Sequence, residues 1–214
     1  FMFDVLKKRE PKLIDMELYH RSAVVVPLVE KNGDYQVLFE VRSKGLKRQP
    51  GEICFPGGGC ETGESPEAGA RREICEELLI SESQIEIAAP MDIFVSPFNM
   101  IIYPYLGILK DYQNTFSTDE VLEVFTVPLA YFMETEPETC YNKIYTEPPE
   151  NFPWAKVQNG RQYRWGRGLY PVHFYEYDHR IIWGITAKIM KNTARQIKNC
   201  LLYTSPSPRD KRQS

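Results

Sequence analysis

Glu73, Glu76 and Glu77 crowd together in the stretch Arg72-Glu73-Ile74-Cys75-Glu76-Glu77. On a helix, residues three and four apart are neighbours, so these carboxylates share one face and repel by a few tenths of a kcal/mol per pair. A hard divalent cation reverses the sign of that interaction, because Mg²⁺ or Mn²⁺ takes oxygen ligands. The plainer alternative is a solvated acidic face. Ala70, Ile74 and Leu78 fall beside the acids and predict an apolar stripe buried against a sheet. Two kinds of chemistry are therefore open, hydrated charge or metal-assisted work on an anion, and the surrounding elements must decide between them.

Ser65 is a good helix N-cap and Pro66 suits the first helical position, which predicts a helix from there to about Leu79. Ahead of it, residues 22–30 read as a buried Val-rich strand. Asn32-Gly33 reads as a tight hairpin turn, and "YQVLFEVRS" as the alternating return strand. Residues 44–64 read as loop, basic at first and then glycine-rich. Residues 91–109 predict two short strands about Pro97-Phe98-Asn99. Residues 118–134 predict a loop, a short strand and the start of a helix, and residues 135–165, rich in Pro, Glu and Asn, an irregular stretch. The chain then predicts a strand, a turn at Tyr177-Asp178-His179, a second strand or helix start, and an amphipathic helix carrying Ile185, Ile189 and Ile197 on one side.

Spacing across the acidic segment is specific. Gly58, Glu64, Arg72, Glu73, Ile74, Glu76, Glu77 and Ile80 stand in the order G-x5-E-x7-R-E-U-x-E-E-x-G-U, where U is aliphatic. The chain resembles Nudix hydrolases here, with one departure: Leu79 occupies the place of the last glycine. A glycine after a helix usually supplies a left-handed cap. A leucine there would cost roughly 1–2 kcal/mol, so the helix is expected to end differently, with Leu79 packed inward.

The resemblance implies an α/β fold, an α/β/α sandwich with a mixed sheet and a loop-helix-loop catalytic motif. It implies a Mg²⁺ or Mn²⁺ site drawing on Glu73, Glu77, Glu76 and Gly58, with Glu64 and Arg72 orienting the metal-binding acids. A carboxylate must take a proton from water, and Glu76 and Glu120 are both candidates.

Upstream, "VLFEVRSKGLKRQPGEICFPGG" resembles the segment that marks coenzyme A pyrophosphatases within that family, through Arg42, Ser43, Lys47, Gly51, Phe55, Pro56, Gly57 and Gly58. Lys47 stands where arginine is usual, with Arg48 beside it. The resemblance implies substrate contacts from Arg42, Ser43, Lys47, Arg48, Gly51, Phe55 and Gly57. It implies cleavage of coenzyme A or a derivative into a 4′-phosphopantetheine species and adenosine 3′,5′-bisphosphate. Physically, Arg42, Lys44, Lys47 and Arg48 make a cationic patch suited to a polyanionic small molecule. The alternatives are another nucleoside diphosphate substrate, such as ADP-ribose, and a silent ligand-binding domain. Retention of the acids weighs against the silent domain.

Composition bounds the rest. The 214 residues carry 26 Lys and Arg against 29 Asp and Glu, a net charge of −3, which gives no general attraction to nucleic acid. No apolar run approaches the roughly 18 residues of a membrane span, and the N-terminus lacks a secretory signal's order. Five cysteines without a C-x-x-C pair favour a reducing cytosol over disulfides or zinc. His20, His173 and His179 are too scattered to form a metal set and are expected to be structural or exposed. Residues 1–200 read as one domain. Residues 201–214, Ser/Pro-rich and basic, resemble adapter-derived sequence rather than a folded element.

Overall fold

A computed structural model describes residues 3–4 and 6–204 of the chain. Its centre is β1 (His20–Lys31), whose apolar residues alternate between two covered faces: Ala23 and Val25 join one core, Val26 and Leu28 the other. β2 (Asp34–Arg42) divides in the same way, with Leu38 on the first side and Val37 and Phe39 on the second. A strand covered on both faces reads as a nearly continuous apolar run. Asn32 and Gly33, both at positive φ (57° and 87°), make the two-residue turn that joins the strands.

β1 pairs antiparallel with β2 and with β4 (Gly57–Gly59), and parallel with β7 (Met100–Leu109). With β3 (Ile53–Cys54) and β5 (Ile85–Pro90), the path through the sheet is β3-β2-β1-β7-β5. β6 (Phe94–Ser96) adds to β7, and β8 (Val121–Pro128) to β2. Helix α1 (Pro66–Leu78) lies on the Ala23 face. The opposite face is covered by α2 (Leu129–Glu134) and α3 (Gly184–Thr204), through Phe132, Ala187 and Met190. The architecture is the α/β/α sandwich with a mixed sheet. Within the stretch expected to be loop, the glycine run is ladder: β4 pairs Gly58 with Ala23.

α1 begins as its sequence dictates. Ser65 Oγ accepts from the Ala68 N–H (3.2 Å), and Pro66 opens the helix; such a cap is worth about 1 kcal/mol. Ala70, Ile74 and Leu78 are fully buried, and burying Ile or Leu side chains contributes roughly 1.5–3 kcal/mol each.

The end of α1 corrects the expectation for Leu79. It does adopt the left-handed conformation (φ 53°, ψ 45°), and its side chain is 60% exposed. The reason is the next residue: Ile80 must return to the core, and a left-handed step brings it there with its N–H donating to the Cys75 carbonyl (3.2 Å). Leu79→Gly is expected to relieve strain of about 1–2 kcal/mol, offset by roughly 0.4–1 kcal/mol of added freedom in the unfolded chain. The net gain reads as a higher urea midpoint at unchanged slope; a lower midpoint contradicts it.

The segment expected to be irregular contains β9 (Glu138–Tyr145), which pairs with β10 (Arg167–Tyr177), and β10 pairs in turn with β11 (Arg180–Trp183). β9 is mostly exposed and so shows little apolar alternation; its ladder to β10 holds it. Asp178 and His179 form the β10–β11 turn at positive φ, and the His173 Nδ1 shares a hydrogen bond with Thr139 Oγ1 (2.8 Å). α3 continues through Thr204, so the first positions of the stretch read as a tail are helical. Residues 205–214 lie outside the described residues. Among the described residues no helix is long and apolar enough to cross a membrane.

Candidate active site

The glycine run and α1 meet edge to face. Gly57 sits at φ 147°, packed so tightly against β1 that a Cβ would strike the Ala23 carbonyl. This places its N–H to donate to Glu77 Oε2 (2.7 Å). A Cβ on Gly58 would collide with the Glu73 carboxylate. The two glycines therefore hold backbone directly against two of the three acids, an approach that no other residue permits.

The acids do not share one environment. Glu77 is buried (3% exposed), Glu73 is partly buried, and Glu76 stands out at 58% side-chain exposure. Arg72 spreads across the group. Its Nε and Nη2 donate to Glu64 (3.1 and 3.3 Å), Nη1 to Glu73 (2.8 Å) and Glu76 (3.4 Å), and Nη2 also to the Gly59 carbonyl (3.2 Å). Glu64 in turn accepts from the Glu61 N–H (2.8 Å). Arg72 and that amide hold Glu64 below the usual carboxylate range. Burial pushes Glu73 up despite Arg72.

Glu40 falls on the polar side of the alternation in "YQVLFEVRS", yet the fold buries it. It is 1% exposed. Burial pushes both Glu40 and Glu77 well above the ordinary carboxylate range, and each carboxylate reinforces the shift of its neighbours: Glu40 acts on Glu77, and Glu120 and Glu73 act on both. Arg42 pulls Glu40 the other way.

Glu120 lies on an exposed turn tied to α1. The Ser117 N–H donates to the Glu77 carbonyl (2.7 Å), and Thr115 Oγ1 to the Leu78 carbonyl (2.6 Å). The same turn is tied to the basic loop, since the Ser43 N–H donates to the Glu120 carbonyl (2.8 Å). On that loop Arg42 Nε donates to the Arg48 carbonyl (3.3 Å), and Gly51, at φ 76°, closes back onto Arg42. Lys44, Lys47 and Arg48 are exposed and form no ion pair among the described residues. Phe55, expected at the substrate surface, is instead buried (3% exposed) and stacks on Phe39 at 5.0 Å. An aromatic side chain on the short link between β3 and β4 gains more from the core than from solvent.

Among the described residues no three Asp, Glu, His or Cys side chains converge into a ready-made metal cage. The donor set nevertheless fits a hard divalent ion. It is made of carboxylates, two of them buried with like charge, and Glu40 Oε2 is buried with no hydrogen-bond partner. Mg²⁺ is commonly held by one or two carboxylates plus substrate phosphates rather than by an all-protein cage.

The profile of the NUDIX domain matches residues 18–145, well over half of the chain. The chain belongs to the Nudix family. Among curated Nudix relatives, the mouse protein named peroxisomal coenzyme A diphosphatase NUDT7 is 36% identical over 135 residues, covering 62% of this chain and 56% of that protein. The Caenorhabditis elegans protein named peroxisomal coenzyme A diphosphatase ndx-8 is 35% identical over 121 residues, covering 53% and 51%. An uncharacterized Nudix hydrolase, NudL of Escherichia fergusonii, is 29% identical over 189 residues, covering 87% and 88%. The chain thus spans little more than half the length of the two coenzyme A diphosphatases. The Nudix match takes in β1 to β9, including the basic loop, α1 and the Glu120 turn; β10, β11 and α3 lie beyond it.

Proposed function

We propose that this chain hydrolyses the diphosphate of coenzyme A or a derivative, yielding a 4′-phosphopantetheine species and adenosine 3′,5′-bisphosphate. The observation that carries the reading is the tether between two opposite surfaces. Exposed cations with no acid partner among the described residues sit on a loop hydrogen-bonded through Ser43 to the Glu120 turn, and that turn hangs from α1 at Glu77. An anion held by Lys47 and Arg48 is thereby kept beside the carboxylates. The names of the mouse and nematode relatives support the same substrate class.

Glu73 and Glu77, with Glu76 and the backbone at Gly58, would hold Mg²⁺ or Mn²⁺. When bound, such an ion neutralises the diphosphate and lowers the pKa of a coordinated water. Arg72 fixes the outward acids by bonding Glu64, Glu73 and Glu76 at once. Glu120 is the favoured acceptor of the water proton, because Glu76 already accepts from Arg72 whereas Glu120 makes no ion pair among the described residues. Free thiols at Cys54, Cys60, Cys75 and Cys140 support a reducing compartment. The cytosol is the reading from sequence, and the peroxisomal relatives widen it to other compartments of that kind.

Substrate choice tests the basic loop. The 3′-phosphate of coenzyme A adds about two negative charges, and a charge-assisted contact is worth roughly 1.5–3 kcal/mol. Coenzyme A is expected to be cleaved with about tenfold or higher kcat/KM than its 3′-dephospho form, provided the contact persists in the transition state. Replacing Lys47 and Arg48 together with alanine is expected to erase the preference and spare the slower reaction. Equal kcat/KM on both substrates in the unaltered protein contradicts the 3′-phosphate contact, and faster turnover of ADP-ribose contradicts the coenzyme A reading.

A further inference from the structure

Glu40 lies outside the acidic helix, on the strand that faces it. The β2–β3 register sets it opposite Cys54, and the Cys54 thiol donates to Glu40 Oε1 (Sγ···Oε1 3.2 Å). Its other oxygen, Oε2, is buried and accepts nothing. Three residues beyond Cys54, the Gly57 N–H holds Glu77 Oε2. One short segment of chain thus grips a carboxylate from β2 at one end and a carboxylate from α1 at the other.

The groups that act on Glu40 are Cys54, Arg42, Glu120 and Glu73, and Glu40 in turn acts on Glu77; Arg42 is the one cation among them. Arg42 turns its Nε to the Arg48 carbonyl and forms no ion pair with Glu40 among the described residues. Two buried like charges with an orphaned oxygen are poorly accommodated unless a proton or a cation neutralises them.

We propose that Glu40 Oε2 is a direct oxygen ligand for a divalent cation held jointly with Glu77, so that the ion bridges β2 and α1. The inference rests on the reading of the α1 acids as a metal site, and adds to it a ligand from the sheet. The donors select a hard ion: both are carboxylates, and the neighbouring Cys54 sulfur is engaged in its hydrogen bond to Glu40 Oε1. The Cys54 thiol becomes a positioning group: by occupying Oε1 it leaves Oε2 as the donor oxygen. With a ligand on each layer, the ion would be anchored between β2 and α1, with its remaining positions open to water and substrate phosphate.

Mn²⁺ titration of the whole chain, followed by electron paramagnetic resonance and water-proton relaxation, reads this without turnover. Glu40→Gln removes the charge at constant shape. Glu40→Asp keeps the charge and withdraws the oxygen. Both are expected to weaken Mn²⁺ binding by about tenfold or more and to leave about one additional water on the bound ion, with the cooperative melting of the metal-free protein retained. Glu77→Gln is expected to weaken binding at least as much. Parent affinity and hydration in Glu40→Asp, with binding lost in Glu77→Gln, overturns the ligand role of Glu40 and leaves the α1 metal site standing. Unchanged binding in Glu77→Gln as well overturns the metal site itself. Should Glu40→Gln fail to fold, the Asp variant decides alone, because it preserves the buried charge.

Discussion

Glutamine at position 77 is expected to lower kcat/KM for coenzyme A by more than about 100-fold while the melting temperature holds or rises. Changes to groups that only orient a metal ligand typically cost 10–100-fold, and loss of a ligand itself should exceed that. The fold should survive for a local reason. Glu77 is 3% exposed, takes one hydrogen bond from Gly57 and lies under the field of Glu40, Glu73 and Glu120. A glutamine carbonyl can keep the Gly57 bond, and removal of the charge relieves the crowding. Excess chelator should abolish turnover of the parent to the same extent. Full activity in Glu77→Gln, or undiminished turnover in chelator, contradicts the assignment of this site.

Arg72→Lys is expected to lower kcat/KM by about 10–100-fold, the range for groups that orient metal ligands. Charge is conserved in this change, so a purely Coulombic role predicts little effect. What is lost is the planar fork. One guanidinium presently reaches Glu64 through two nitrogens and also bonds Glu73, Glu76 and the Gly59 carbonyl. A single ammonium cannot span that set, so Glu73 is freed to rotate and β4 loses its side-chain tie to α1 at Gly59. The readout that separates positioning from general destabilisation is the metal requirement. Arg72→Lys should need more Mg²⁺ for half-maximal rate at little change in melting temperature. Parent-like metal dependence with a large loss of stability contradicts the positioning role.

Much of this was legible locally. Ser65 and Pro66 mark the start of α1, the i, i+4, i+8 spacing of Ala70, Ile74 and Leu78 marks its buried face, and Asn32-Gly33 marks the first hairpin. The pairing of Arg72 with Glu64 was legible from opposite charge at a fixed spacing. Features decided by tertiary packing were not. Glu40 looked like the polar side of a half-exposed strand, because nothing in "VLFEV" tells that β8 and α1 close over both the edge and the face of β2; a lone acid flanked by Leu38-Phe39 and Val41 was the available signal. Phe55 belongs to the core because Phe39, remote in sequence, waits to stack on it. β9 is held by its ladder to β10, formed across more than twenty residues, rather than by its own apolar pattern. Leu79 takes a strained conformation because Ile80 has to be buried, a demand set by the sheet and not by the helix.

The central claim is that a diphosphate, rather than a phosphomonoester or a thioester, is cut where the Glu120 turn ties α1 to the basic loop. Mass spectrometry of the products formed from coenzyme A and Mg²⁺ tests it most directly. The expected result is the appearance together of 4′-phosphopantetheine and adenosine 3′,5′-bisphosphate in equal amounts, and neither in excess chelator. Intact coenzyme A after prolonged incubation with Mg²⁺ or Mn²⁺, or release of inorganic phosphate with 3′-dephospho-coenzyme A as the other product, contradicts the account.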